Sequence, residues 1–375
     1  MKIETTSIHE GYKPNQGNGS VAQPIVLSTT FERGEAGAFV EGRDIYSRAS
    51  NPNRRALEEK LGALEGGEAM AFSSGQAATM SIFHALQSGD HVMLPDDIYY
   101  GTRLMLESLY GRWGLTFSAV NTSDLNEIKA ATNVNTKLIW LETPSNPQLK
   151  VADIQLVTDF AKKNKILVAC DNTWSTPMFT RPLSMGVDFV MHSTTKYFGG
   201  HSDIIGGCVV VEKGSEMAVK IREFQTIGGA VPSPFDAWLL YRSLATFPMR
   251  MNIHATNAMA LATYLEAHSM VEKVHYPGLK TNEYHEVAAR QMTGGFGGMM
   301  SILVKGGSEA TLKLASALKV VTHATSLGSV ESLVDHRFTA EGVHSKSPEN
   351  LLRISVGIEN IEDIIEDFRQ AFEAI

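Results

Sequence analysis

Short runs of consecutive apolar residues alternate with segments of helical periodicity through most of the first 230 positions of the chain. Runs bounded by turn residues predict buried strands, and the longer periodic segments predict helices. A helix carrying Leu57, Leu61 and Leu64 is expected first, then a strand over Ala69–Phe72 and a helix running to Leu86. The pattern next predicts a strand at His91–Leu94, a helix at Arg103–Tyr110 and a short strand at Leu115–Val120. It continues with a strand at Lys137–Leu141, a helix from Asp153 to about Asn164 and a strand at Ile166–Cys170. The apolar run ending at Met191 and the segment Ile204–Val211 predict two more strands. Strands that alternate with amphipathic helices and end in polar residues predict an α/β fold with a mostly parallel sheet. The site of such a sheet lies along the carboxyl ends of its strands. Ser74, Tyr99, Asn146, Asp171 and Lys196 should then share one edge.

The pattern changes on both sides of this region. Residues 1–45 are rich in Gly, Ser, Thr, Pro and Asn. They predict an arm that is either disordered or docked on something else, such as a neighbouring subunit. The stretch Gly228-Gly-Ala-Val-Pro-Ser-Pro-Phe235 breaks the alternation and sets an expected domain boundary near residue 230, with one domain over 46–230 and another over 231–375. Beyond it, helices around 236–268 and 309–318, strands near 299–304 and 351–355 and a terminal helix from about 360 predict a smaller α+β domain. The glycines of Gly294–Gly298 precede no helix and suit the start of a strand better than a nucleotide loop.

Composition narrows the classes. The chain has 375 residues, 43% of them hydrophobic and 20% charged, with a formal net charge of −8. No block of Lys or Arg offers attraction to nucleic acid or an anionic membrane. Two cysteines, Cys170 and Cys208, sit inside apolar runs and suit buried thiols in a reducing compartment. With no signal-peptide pattern at Met-Lys-Ile-Glu-Thr-Thr and no run of membrane-spanning length, a cytoplasmic protein is expected. The histidines form no HExxH or clustered spacing, so no metal site is expected. A Walker lysine, a GxGxxG loop and a GxSxG elbow are likewise missing from the sequence.

Lys196 follows an apolar run and is flanked by Ser193 and Thr195, with Gly199 and Gly200 turning the chain away. Such a lysine suits an aldehyde cofactor held as a Schiff base, its phosphate touched by the hydroxyls. Asp171, at the preceding strand end, could hold the proton on a cofactor ring nitrogen as an ion pair. Ser74, Gly75 and Gln76 lie between a strand and a helix, where free backbone N–H groups favour a phosphate. Tyr99 could stack on the ring and Asn146 could bond the ring hydroxyl. Tyr46 and Arg48, displayed before a helix, could clamp the phosphate. Each residue alone has a plainer reading: a packed tyrosine, an Asx turn before Pro147, a capping aspartate. Together they describe a site for pyridoxal 5'-phosphate.

These residues resemble the Cys/Met-metabolism family of pyridoxal-phosphate enzymes, which includes cystathionine γ-synthase, cystathionine γ- and β-lyases, methionine γ-lyase and O-acylhomoserine sulfhydrylases. The resemblance runs over nearly the whole chain through Tyr46-Ser-Arg48, Ser74-Gly75, Asp97-Ile-Tyr99, Glu142-Thr-Pro-Ser-Asn146-Pro147, Asp171-Asn-Thr173, the Lys196 stretch, Ser326-Leu-Gly328, Glu331-Ser-Leu333 and Leu352-Arg353-Ile-Ser-Val-Gly357. It implies a fold-type I, aminotransferase-like subunit in a homotetramer built from two tight dimers with shared active sites. Tyr46 and Arg48 would reach the cofactor of the neighbouring subunit, and Thr173 would join the cofactor-binding set. Arg353 would bind the substrate carboxylate, Ser326 would help position Lys196, and Tyr99 would act in proton transfer as well as stacking. The implied reaction is γ-elimination or γ-replacement on cystathionine or an O-acylhomoserine. A cystathionine β-lyase and a methionine γ-lyase are the near rivals, and a non-catalytic pyridoxal-phosphate-binding protein is the rival of a different class. Departures from the family pattern bear on the substrate. Ile45 and Thr325 stand where acidic residues are usual, Gln76 where Met is usual, and Tyr100 replaces a common Gly. Gly101 stands at a position that methionine γ-lyases fill with Cys, Leu104 at one several members fill with Arg, and Asp335-His-Arg337-Phe in place of the usual Met-Thr-His segment.

Overall fold

The computed structural model describes residues 1–14, 19–342 and 345–375. Its larger sheet holds β1 (Glu68–Phe72), β2 (His91–Pro95), β3 (Thr116–Val120), β4 (Thr136–Glu142), β5 (Leu167–Asp171), β6 (Phe189–His192) and β7 (Gly207–Val211), in the order β1-β7-β6-β5-β4-β2-β3. Pairing is parallel from β6 through β5, β4 and β2 to β3, and β7 runs antiparallel to both β6 and β1. The apolar runs are continuous because both faces of the sheet are covered. Along β4, Leu138 and Trp140 pack with Phe83 and Phe189 on one face, while Ile139 and Leu141 pack with Val157 and Val190 on the other.

A second sheet holds β8 (Val271–His275), β9 (Met299–Val304), β10 (Thr322–His323), β11 (Leu333–His336) and β12 (Leu351–Ser355), in the order β10-β11-β12-β9-β8. It has its own apolar core around Ile302, Leu352, Ile354 and Phe368. The helices Pro234–Leu244 and Phe247–Glu266 follow the break near residue 230. Among the described residues no helix is long and apolar enough to cross a membrane.

Several local expectations need correction. Ile204–Gly206 is not strand, because Thr195 Oγ1 takes both backbone groups of Gly206, accepting its N–H at 3.0 Å and donating to its C=O at 3.2 Å. The helix expected from Arg103 begins at Tyr100 and ends at Ser108. The helix Leu125–Ala131, capped by Asp124 accepting from the Asn126 N–H at 2.8 Å, was not apparent in the pattern, nor were the short strands β8, β10 and β11. Inside the N-terminal arm, Ile3–His9 is helical. Part of that arm is pinned to its own chain: Asn53 accepts from the Val26 N–H at 2.8 Å and donates to Pro24 O at 2.9 Å, and Trp238 Nε1 donates to Gln23 O at 2.9 Å. Val21, Leu27 and Phe39 of the arm stay exposed.

The strand order reverses direction between β2 and β4, and a doubly wound sheet forms its crevice at such a switch point. Asp97, after β2, ties the two bordering loops together. It accepts the Ser145 hydroxyl and the Gln148 N–H, the latter at 2.9 Å, on one oxygen and Gln148 Nε2 at 3.3 Å on the other. Asp97 thereby bridges the loops that carry Tyr99 and Asn146. Replacing Asp97 with Ala leaves these buried donors unpaired and is expected to cost about 2–4 kcal/mol of stability. Urea denaturation of the Asp97→Ala protein checks this, and a loss under about 0.5 kcal/mol, the range of an ordinary surface change, would show that the loops hold without it.

Candidate active site

The carboxyl ends of the parallel strands open onto a cavity of about 480 Å³. Ten of the predicted residues on the larger sheet's edge line it: Ser74, Gly75 and Gln76 after β1; Tyr99 after β2; Asn146 after β4; Asp171 and Thr173 at β5; Ser193, Thr195 and Lys196 after β6. Ser326 and Arg353 line it from the second sheet's side. Tyr46 and Arg48 do not line this cavity. Arg48 instead donates from Nη1 to Thr226 O on its own chain, and Tyr46 is exposed.

Each position has a local cause. Ser74 caps the helix Gly75–His84 by accepting from the Ala77 N–H at 3.0 Å, and the first amides of that helix have no partner within it. A Cβ on Gly75 would meet Ser193 Oγ at 2.9 Å, so glycine lets the two sides of the cradle touch. The Ser193 N–H donates to Thr173 Oγ1 at 2.9 Å, which joins the loops after β5 and β6. Gln76 Nε2 donates to Gly101 O at 2.9 Å. A Cβ on Gly101 would come within 2.5 Å of the Tyr99 ring, so this residue must lack a side chain for the ring to lie there. Tyr99 is 45% exposed at the mouth, with its N–H donating to Glu142 Oε2 at 2.9 Å.

Lys196 Nζ donates to Ser326 Oγ at 2.7 Å. Ser326 has φ of 84°, a conformation non-glycine residues rarely adopt and one that clusters at functional sites. Burial, followed by the guanidiniums of Arg353 and Arg337, pushes the Lys196 amine down to about 8. Arg353 donates from Nη1 to Asn146 Oδ1 at 3.1 Å and from Nη2 to Ser326 O and to Asp335 Oδ2, both at 3.1 Å. Burial, with Arg337 beside it, pushes the Arg353 guanidinium down to about 10.

The acidic side of the cavity is a pair. Glu142 ends β4 directly opposite Asp171 at the end of β5. Burial pushes both carboxyls above the usual range; for Glu142 the Asp171 charge adds to the effect, whereas the hydrogen bonds from Thr173 oppose it at Asp171. The geometry suits a proton kept on Glu142 and an ionised Asp171 that would face a cation. Sequence reasoning gave Glu142 no role, although its position at a strand end beside Asp171 was a signal. It also left Arg337 and Glu341 out of the site, and both line the cavity. The departure at Asp335-His-Arg337-Phe was a signal for Arg337, whereas nothing in the local pattern announced Glu341.

The donor set fits pyridoxal 5'-phosphate: a buried amine for the aldehyde, a carboxylate for the ring nitrogen, and a glycine-floored helix start with serine hydroxyls for the phosphate. The sequence profile of the family described as Cys/Met metabolism PLP-dependent enzyme matches residues 4–373. The cystathionine gamma-synthase of Mycobacterium tuberculosis (strain ATCC 25618 / H37Rv) is 43% identical over 374 residues, which cover 98% of this chain and 96% of the relative. The cystathionine gamma-lyase of Bacillus subtilis (strain 168) is 42% identical over 386 residues, covering all of both chains. The crystal structure of metB from Corynebacterium glutamicum superposes with a TM-score of 0.96 at 43% identity, over 100% of this chain and 98% of that one.

A depressed lysine pKa has a direct consequence for cofactor capture, because only the neutral amine attacks an aldehyde. With the Lys196 amine at about 8 in place of the ordinary 10.5, capture of pyridoxal phosphate by cofactor-free protein should rise about tenfold per pH unit below that value and level off above it. Borohydride trapping of the adduct at Lys196 across a pH series measures the profile. A rate still climbing tenfold per unit towards the ordinary lysine range would show that burial does not depress the amine.

Proposed function

The chain belongs to the family of PLP-dependent enzymes of Cys/Met metabolism, and from that premise we propose that it is a transsulfuration enzyme performing γ-elimination or γ-replacement on cystathionine or an O-acylhomoserine. The observation that carries this reading is the Lys196 amine, held at 2.7 Å from Ser326 Oγ in the cavity that Arg353 and Asp171 also line. When bound, the cofactor supplies the aldehyde that holds the substrate's amino group and the ring that takes up the charge left at Cα.

The protein's own groups would do the rest. Arg353, with Asn146 on its Nη1, would take the substrate α-carboxylate, since a guanidinium fork matches a carboxylate geometrically. Lys196, largely neutral above pH 8 by its lowered pKa, would remove the Cα proton and then one from Cβ, with Ser326 keeping the amine in line. Asp171 would hold the proton on the ring nitrogen. Ser74, Gly75, Gln76, Ser193 and Thr195 would receive the phosphate, with Thr173 bracing Ser193. Tyr99 would stack against the ring and move a proton at the mouth. Tyr46 and Arg48, outside the cavity of their own chain, would complete the phosphate site of a neighbouring subunit in a homotetramer. The buried thiols of Cys170 and Cys208 suit a cytoplasmic setting.

Elimination and replacement share every step up to departure of the γ-substituent, and the γ-synthase and γ-lyase relatives are almost equally similar, at 43% and 42%. A product panel decides. Purified protein is offered cystathionine, methionine and homocysteine, and O-acetyl- or O-succinylhomoserine with cysteine. The expected products are 2-oxobutyrate from cystathionine or cystathionine from an acylhomoserine. Pyruvate in place of 2-oxobutyrate would make it a β-lyase, and no product from any substrate would overturn the reading. For shared sites, Lys196→Ala and Arg48→Ala proteins, each impaired alone, should recover part of the activity when their subunits are mixed; no recovery would argue against a residue crossing between subunits.

A further inference from the structure

The wall of the cavity contributed by the helix Arg337–Glu341 carries charge that the proposed chemistry does not use. Arg337 and Glu341 line the cavity together with Arg353. Arg337 is only 8% exposed; its Nη1 donates to Asp335 Oδ2 and its Nη2 to Glu341 Oε1, both at 2.7 Å. Glu341 is held in turn by the hydroxyls of Ser345 at 2.9 Å and Ser347 at 3.2 Å. The same Asp335 oxygen accepts Arg353 Nη2 at 3.1 Å, so one carboxylate oxygen fixes two guanidiniums side by side. Among the described residues Arg337 Nε has no hydrogen-bond partner. Nε itself is shut off from solvent, whereas Nη1 and Nη2 each carry a second N–H beyond the one given to Asp335 or Glu341, and a ligand acceptor in the cavity can take it.

The other charged groups lining this cavity are already assigned. Lys196, Asp171 and Arg353 serve the cofactor and the α-carboxylate, and Glu142 anchors the Tyr99 N–H. Arg337 is therefore a second guanidinium on the substrate's side of the cavity, braced by acidic residues that leave it a donor to spare. We infer that Arg337 anchors a second carboxylate, carried at the far end of the substrate's γ-substituent, with Asp335 and Glu341 holding the guanidinium in position. The inference rests on the transsulfuration reading, since it takes the α-carboxylate to lie at Arg353. It names a substrate class: γ-substituted amino acids with a distal carboxylate, such as the succinyl ester of homoserine or cystathionine, in preference to the acetyl ester or methionine. A site built to pair a buried donor rejects analogues that leave it unpaired much more strongly than an apolar pocket rejects a change of size.

The test compares kcat/KM of the holoenzyme for O-succinylhomoserine plus cysteine with that for the same ester capped as its distal methyl ester, and kcat/KM for cystathionine with that for methionine. Capping should lower kcat/KM by on the order of tenfold to a hundredfold, mainly through KM. In Arg337→Gln the ratio of uncapped to capped ester should fall towards one, and in Arg337→Lys it should be partly kept. A preference confined to the ester assigns the anchor to the acyl group, and one confined to cystathionine assigns it to the thioether; either supports the inference. Turnover with less than about a twofold preference in both pairs overturns it while leaving the transsulfuration reading intact, as does a ratio unchanged in Arg337→Gln. No turnover of any substrate overturns both. The capped ester needs no variant, so the test stands even if Arg337→Gln fails to fold.

Discussion

The site depends on how the second sheet docks on the first, through hydrogen bonds that cross between them and through apolar residues such as Met299 and Leu327 that join the larger sheet's core. Lys196 Nζ to Ser326 Oγ at 2.7 Å and Arg353 Nη1 to Asn146 Oδ1 at 3.1 Å join residues after strands of the larger sheet to the loop between β10 and β11 and to β12, respectively. Behind them, Ser301 Oγ on β9 donates to Pro147 O at 2.7 Å. The amine comes from one side and the group that aims it from the other. The positive φ of Ser326 belongs to the same arrangement, since its cost is sustained by the packing on both sides.

Within that frame the charges are arranged by burial and by neighbours. Glu142 and Asp171 sit opposite one another at the ends of adjacent parallel strands, and two buried carboxyls side by side cannot both ionise cheaply. The Tyr99 N–H, donating to Glu142 Oε2, opposes the resulting rise in the Glu142 pKa without removing it. On the cationic side, Asp335 holds both Arg353 and Arg337, and after burial both guanidiniums help lower the pKa of the Lys196 amine. The lysine's pKa is thus partly set by residues on the second sheet's side of the cavity.

Much of the fold was legible because a parallel sheet covered on both faces writes itself as apolar runs ending in polar residues. The runs ending before Tyr99, Asn146, Asp171 and Lys196 each became a strand of the larger sheet, and those residues reached one edge. Elements without that signature escaped. β10 and β11 are two and four residues long, and the helix Leu125–Ala131 buries only Ile128. The expected strand start at Ile204 failed for a specific reason: Thr195 takes both backbone groups of Gly206, a competition between a side chain and the ladder that an apolar count cannot register.

By itself the sequence determined the family, and with it the cofactor, through the motifs it carries, while local periodicity placed the groups proposed for the cofactor at strand ends and helix starts. It could not place Arg337 and Glu341 in the cavity. Their nearness to Lys196 is a distance between segments some 140 residues apart in the chain, set by how the second sheet docks on the first. The arm was likewise undecided between disorder and docking until Asn53 and Trp238 were seen to hold residues 23–26 on their own chain, leaving Tyr46 and Arg48 outside the cavity of that chain. Local pattern selects which groups are presented at an edge; only packing between distant segments decides which of them face one another.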